Sequence, residues 1–351
     1  MKYEPLTREE VCSVIAGRAN TRRVPVYFHF WVHPDTFEER EPQVREILAQ
    51  YPQDVQLVPL AMPAMFRDEA PEDDPAYSWL PGNDPYKGKN VAIDARIALP
   101  DWAQLDQVLA AFPDPRYPGM FKHAPTEADG RFRLGQWFFC LFERHWSIRG
   151  MDNALMDYYQ CPDEVHRLFR ALTDFYLVAI ERVAVEQKCD GFWTSDDLGT
   201  QKGEFFSVDI FREFFKPYYK ELIDKAHEHD MSFWMHACGD VTRFVPEWLE
   251  IGLDVLHPIQ KYAMDETAIA REYGGQMTVF SGMEVQQVIP WGTPDEVRAE
   301  VRFLMDTFWR KGEGRCMFTA GNGINGDCTL ASLEALFDEA FTYGGKVATQ
   351  I

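Results

Sequence analysis

An α/β chain folded as a (β/α)8 barrel, with its active site at the C-terminal ends of the strands, is what this sequence predicts. Short β-branched or aromatic runs alternate with longer amphipathic stretches, the order expected of βα units around a parallel sheet. Those runs fill the places of a barrel's eight strands. At 351 residues, 46% hydrophobic and 26% charged, the chain can bury one large core, so one domain over 1–351 suffices.

In order, the predicted strands are Val24 to Phe30, Val55 to Met62, Trp137 to Phe142, Gly191 to Ser195, Ser232 to His236, Val255 to Ile259, Thr278 to Ser281 and Cys316 to Ala320. The third is the least regular, because its continuation through Glu143 and Arg149 to Gly150 reads equally as strand, loop or helix start. Pro162 to Glu186 and Val208 to His229 carry apolar residues at helical spacing, and Thr293 to Trp309 opens with Thr-Pro as a helix does. Residues 66–89 are rich in Pro, Asp, Gly and Asn and lack periodicity, and 116–131 is similar. Both are expected to be long loops, which in a barrel form lids over the C-terminal face. No internal repeat or low-complexity segment is present.

Composition excludes several classes. A formal net charge of −21 repels a phosphate backbone, which argues against nucleic-acid binding. The N-terminal MKYEPLTREE is too charged for a signal peptide, and no apolar run approaches the roughly 20 residues needed to cross a bilayer. Seven cysteines without paired spacing do not form the framework of a small secreted domain, and a cytoplasmic location is expected.

The strongest chemical feature is Met235-His236-Ala237-Cys238-Gly239 at a strand end, where a spacing of two puts His236 and Cys238 on one face. Imidazole and thiolate together suit zinc, although the same pair reads as a core cysteine beside a hydrogen-bonded histidine. Thr194-Ser195-Asp196-Asp197 also follows a strand, and adjacent carboxylates there serve either chemistry or helix capping. Glu284, just past another strand, is a candidate metal ligand, general base or hydrogen-bond anchor. His257 lies inside a strand, a setting more common for a structural histidine. Asn322 stands at the barrel mouth after the last strand, Cys316 reads as core, and Cys328 could reach the mouth from the loop. Tyr27, His29, Trp31 and His33 alternate on and after the first strand and, with Trp79, could wall a pocket or pack as core.

Arg22-Arg23-Val24-Pro25-Val26, Ser195 through Gln201, Phe214-Phe215-Lys216-Pro217-Tyr218, His236-Ala237-Cys238-Gly239, Glu250 through Leu256 and His257-Pro258-Ile259-Gln260 occur in order across nearly the whole chain. Together they resemble the uroporphyrinogen decarboxylase superfamily, which includes the haem-pathway decarboxylase and zinc-dependent methyltransferases acting with corrinoid proteins. The decarboxylase carries an arginine-rich segment after its first strand, whereas the stretch here, Phe28 to Pro34, has none. A substrate with many carboxylates needs several fixed cations, so the resemblance points to the methyltransferase branch. That branch implies zinc held by His236, Cys238 and a further Cys after the last strand, and here Asn322 occupies the expected position. Either Cys328, Glu284, Asp196 or substrate would then complete the site, or zinc would be absent.

The leading expectation is a methyltransferase moving a methyl group between a small substrate, such as a methoxylated aromatic, and a corrinoid on a partner protein. Zinc would act as Lewis acid, with Asp196, Asp197 or Glu284 orienting the histidine or handling a proton. Tyr27, Trp31, His33, Gln201, Gln260 and Asn322 are the candidate substrate-binding residues. The alternative is a metal-free decarboxylase or lyase of a smaller cyclic acid, with Asp196 or Asp197 stabilising a cation and His29 or His236 donating a proton. A non-catalytic ligand-binding barrel is the third reading.

Overall fold

A computed structural model describes residues 3–349. Its centre is a curled parallel sheet of seven strands that pair in chain order. These are β1 (Val55–Pro59), β2 (Phe132–Gln136), β3 (Gly191–Ser195), β4 (Ser232–His236), β5 (Val255–His257), β6 (Thr278–Met283) and β7 (Cys316–Ala320). Because every pair is parallel, the C-terminal ends share one edge, with Ser195 beside His236, His236 beside His257, and Met283 beside Ala320. The strands are buried along almost their whole length, as a sheet covered on both faces requires.

The β3, β4 and β7 bounds match the sequence expectation. The β1 and β5 strands end two or three residues before their expected limits and β6 runs on to Met283, while the two remaining predictions need larger corrections. Val24 to Phe30 forms no strand: Val26 makes a single bridge to Phe318, the Tyr27 N–H donates to the Phe318 carbonyl (3.1 Å), and the Asp54 N–H donates to the Val26 carbonyl (3.1 Å). The segment thus touches β7 and the start of β1 without a full ladder. Pro25 has no N–H to give. Further on, side chains intercept the donors: Asp54 takes the Val26 N–H, and Gln53 Oε1 takes those of Phe28 and His29.

The second correction is Trp137 to Phe142. The strand lies earlier, at Phe132–Gln136, where Arg133 and Gly135 hid it. The Arg133 guanidinium is satisfied internally by Gln56 and the Gln187 carbonyl, and a Cβ on Gly135 would come within 2.4 Å of Val183. After Phe139, in left-handed backbone at φ +68°, the chain enters the helix Phe142–Arg149.

The outer helices agree closely with expectation: Pro162–Gln187 spans 26 residues, and Pro294–Phe308 is capped by a reciprocal Thr293 and Glu296 pair. The stretch from Val208 to Glu228 contains a π-turn at Phe211–Phe215 just before Pro217, whose ring cannot donate. The segment 66–89 holds the short strand Ser78–Leu80 paired with Ala64–Phe66, and 116–131 holds one 3₁₀ turn, Pro118–Phe121. Neither contributes a lining residue to the cavities described below. Trp79 is buried against Phe112, Phe175 and Tyr176, away from Tyr27 and Trp31.

Among the described residues no helix is long and apolar enough to cross a membrane. All seven cysteines are free.

Candidate functional site at the strand C-termini

His236 ends β4 and is buried, its ring flanked by Trp31 (5.3 Å between centroids) and Phe138 (5.6 Å). Its Nδ1 lies 2.6 Å from Nδ1 of His257, and His257 Nε2 lies 3.0 Å from the Ala320 carbonyl oxygen. On its other side, His236 Nε2 lies 3.3 Å from Cys238 Sγ and 3.5 Å from Asp197 Oδ1. Asp197, His236 and Cys238 thus bring one oxygen, one nitrogen and one sulfur within 4.8 Å of one another, the one such convergence among the described residues.

The loop after β4 is held by its neighbours. Asp197 Oδ1 accepts the Cys238 N–H (2.7 Å) and Gln260 Oε1 accepts the Gly239 N–H (2.6 Å). Gly239 has φ +86°, and a Cβ there would fall 2.2 Å from the Gly199 carbonyl carbon, so the HxCG turn requires glycine. Asn322 Nδ2 donates to Cys238 Sγ at 3.6 Å.

Electrostatics follow from burial. Desolvation pushes the Cys238 thiol well up, with Asp197 adding to it, and lowers the His236 imidazole against Asp197. A divalent cation reverses that balance, because coordination removes a thiol proton. An oxygen, nitrogen and sulfur set at this spacing fits zinc, which takes all three ligand types and in catalytic sites keeps an open position.

Two cavities meet here and share Asn322. Trp31, His33, Asp197 and His236 line one, together with Phe30, Phe138, Phe139, Glu143 and Ser195. Cys238, Gln260 and Glu284 line the other, beside Lys261. Among predicted site residues, Trp31, His33, Asp197, His236, Cys238, Gln260, Glu284 and Asn322 are therefore brought together.

The remaining ones are placed elsewhere, and Glu284 is engaged by its own loop. Asp196 is fully buried and faces away, accepting the Leu141, Phe142 and Glu143 N–H groups and the Tyr219 hydroxyl (2.6–3.0 Å). Burial pushes its carboxyl up to about 6 against those donors. Glu284 lines the cavity, but its oxygens accept the N–H groups of Gln286, Gln287 and Val288, the anchor role among its three readings. Cys328 is buried with its thiol on the Thr329 carbonyl, so Asp197 takes the third place in the cluster. His29 is exposed and does not line the cavity. Tyr27 is core, edge-on to Trp193, and Gln201 is exposed beside the tip of a two-residue hairpin.

Sequence reasoning missed Glu143. Its carboxyl is 7% exposed, accepts the Ser195 hydroxyl, and lines the cavity with Asp197 and His236. Burial, then the charges of Asp197 and Asp196, raise its pKa well above the usual range. The available signal was an acid directly after the apolar run Trp137 to Phe142.

Fold and site together define a protein of the parallel α/β class whose candidate site sits at the C-terminal strand ends around an oxygen, nitrogen and sulfur donor set. Residues 146–343, more than half of the chain, match the family described as Uroporphyrinogen decarboxylase (URO-D), and the chain belongs to that family. A curated relative, the Methylated-thiol–coenzyme M methyltransferase of Methanosarcina mazei, is 23% identical over 158 residues, covering 44% of this chain and 40% of that protein. Among solved structures, a methyltransferase from Methanosarcina mazei matches with TM-score 0.60 and 13% identity over 97% of this chain and 99% of that one, a likeness of fold. The curated relative's name agrees with the branch that the sequence resemblance indicates.

Proposed function

We propose that this chain is a methyltransferase of the URO-D family that moves a methyl group between a small substrate and a corrinoid carried by a partner protein. The observation that carries the reading is the convergence of Asp197, His236 and Cys238 beside an aromatic-walled cavity. Those three residues would hold zinc, which when bound supplies a Lewis acid for the substrate's oxygen or sulfur. On this reading 24–30 completes a single-domain barrel that works in the cytoplasm.

The chain's own residues do the rest. Phe30, Trp31, Phe138 and Phe139 offer flat apolar walls, which suit a methoxylated aromatic and exclude water. No Lys or Arg lines that cavity, and Lys261 in its neighbour is paired with Glu300 at 2.5 Å. A polycarboxylate would find no free cation, which weighs against the decarboxylase reading. Glu143 keeps a proton at a cavity-facing carboxyl and can deliver it to a leaving oxygen, while Ser195 holds the carboxyl in place.

The test is zinc per chain by elemental mass spectrometry in protein purified without added metal, beside His236→Ala and Cys238→Ser. About one zinc per wild-type chain, lost in both variants, is expected, together with demethylation of methoxylated aromatics when a corrinoid protein is supplied. Zinc-free protein after reconstitution, or zinc unaffected by both substitutions, would overturn the reading.

A further inference from the structure

His257 is a buried histidine at the site that the proposed chemistry leaves unused. Its ring lies parallel to Trp31 (5.2 Å, 20°) and its two nitrogens both have partners. The partners fix its protons. The Ala320 carbonyl can only accept, so at 3.0 Å from it His257 Nε2 must carry a hydrogen. A neutral imidazole has one N–H, which leaves His257 Nδ1 as an acceptor. An imidazolium would put a charge on a side chain 1% exposed with no carboxylate among its hydrogen-bond partners, a costly arrangement.

His236 Nδ1 lies 2.6 Å from that acceptor and must therefore be the donor, which leaves its own Nε2 with a lone pair. That lone pair faces Cys238 Sγ at 3.3 Å, whose S–H can donate to it, and Asp197 Oδ1 at 3.5 Å. The hydrogens then run in one direction, from the Cys238 thiol to His236, from His236 to His257 and from His257 to the Ala320 carbonyl. Reversing the His236 tautomer would leave two acceptor lone pairs facing each other across 2.6 Å.

We infer that His257 is a positioning residue that, anchored on the Ala320 carbonyl, sets the tautomer of His236 and presents Nε2 as a lone pair to Asp197 and Cys238. The backbone of β7 thus decides which nitrogen of a β4 side chain is available for coordination, through a β5 histidine between them. The consequence for zinc rests on the proposed function, whereas the tautomer assignment does not. A histidine ligand's other nitrogen usually needs such a partner, and losing it commonly weakens metal affinity 10- to 100-fold.

The experiment is long-range ¹H–¹⁵N NMR on histidine-labelled, metal-free protein, with His236 and His257 assigned from His236→Gln and His257→Phe samples. The expected result is His236 protonated on Nδ1 and His257 on Nε2. His236 protonated on Nε2 in the wild type would overturn the inference, whatever the protein does with zinc. In His257→Phe, which keeps a ring against Trp31 but offers no acceptor, His236 should lose its preference for Nδ1–H and zinc affinity should fall about 10- to 100-fold. His257→Gln can accept from His236 and donate to Ala320, and should recover most of that loss. An unchanged tautomer and unchanged zinc affinity in His257→Phe would also refute the inference. If the phenylalanine variant does not fold, the wild-type tautomers decide alone. Correct tautomers in a protein that binds no zinc would support the relay and sink the methyltransferase reading.

Discussion

Asp196 and Asp197 are adjacent, yet the structure assigns them opposite jobs, and Asp→Asn at each position separates them. Asp196 is fully buried: Oδ2 accepts the Leu141 and Phe142 N–H groups and the Tyr219 hydroxyl, while Oδ1 accepts the Glu143 N–H. An asparagine can keep its carbonyl oxygen at only one of those places. Keeping the three partners of Oδ2 turns its NH₂ toward the Glu143 N–H, donor against donor. A hydrogen bond to a charged group contributes about 1.5–3 kcal/mol, and a buried unsatisfied donor costs about 1–3 kcal/mol, so Asp196→Asn should lose about 3–5 kcal/mol. That is a large part of a typical 5–15 kcal/mol stability. Asp197 has a side chain 40% exposed and accepts one backbone N–H, so Asp197→Asn should cost about 1 kcal/mol or less while weakening zinc binding. Urea unfolding followed by tryptophan fluorescence, beside a zinc titration, reads both. A loss below about 1 kcal/mol for Asp196→Asn, or equal losses for the two variants, would refute the assignment.

Three further outcomes are expected. Gly239→Ala forces a Cβ into left-handed backbone and against Gly199, so it should lose at least about 1–2 kcal/mol and most zinc affinity; a neutral effect in thermal melting would show that the turn can relax. Glu143→Gln keeps the side chain's size and hydrogen bonding but removes its proton, so kcat should fall about 10²- to 10⁴-fold with little change in stability, and the alkaline limb of the rate profile should disappear. At the opposite end of the sheet, the His227 imidazole is raised by its hydrogen bond to Asp254 (2.7 Å), so its stabilisation is full below pH 6.5 and is lost as pH rises through the higher folded value. Unfolding curves at pH 6 and 8 should show that decline in the wild type and not in His227→Gln.

How much of this was legible in the sequence depends on whether the signal was local. β3, β4 and β7 were, because each is an apolar run whose side chains decide their own burial. β2 was not: Arg133 and Gly135 look wrong for a buried strand until the helix against Gly135 and the acceptors around Arg133 are known. The segment 24–30 carries a strand's residues, but its donors go to Gln53 and Asp54 some 25 residues later, which no periodicity reports. For the site, a spacing of two on a strand places His236 and Cys238 together, since a strand's alternation is fixed. Which of two adjacent aspartates joins them depends on where the helix Phe142–Arg149 points its N–H groups, a tertiary fact. Glu143 belongs to the same class, since it reaches the cavity only because Asp196 holds that helix start.

Asn322 shows why the departure from the family's expected third cysteine need not leave the donor set short. A thiolate at that place would add a negative charge and a soft donor. Here Asp197 offers the charge as a harder oxygen, 3.5 Å from His236 Nε2, and Asn322 donates to Cys238 instead of competing for the ion. One carboxylate, one thiolate and one imidazole carry two negative charges, matching a dication as a histidine and two cysteines would. The excess acidity has a local counterpart: Asp196, Asp197 and Glu143 crowd one strand edge, and no Lys or Arg lines the cavity that Asp197 and Glu143 share. In that setting burial and Asp197 both work against a free thiolate at Cys238, so its ionisation depends on a cation arriving with charge to spare. On the proposed function the arrangement would therefore couple metal arrival to loss of the thiol proton, with the inferred tautomer of His236 leaving Nε2 free for the ion.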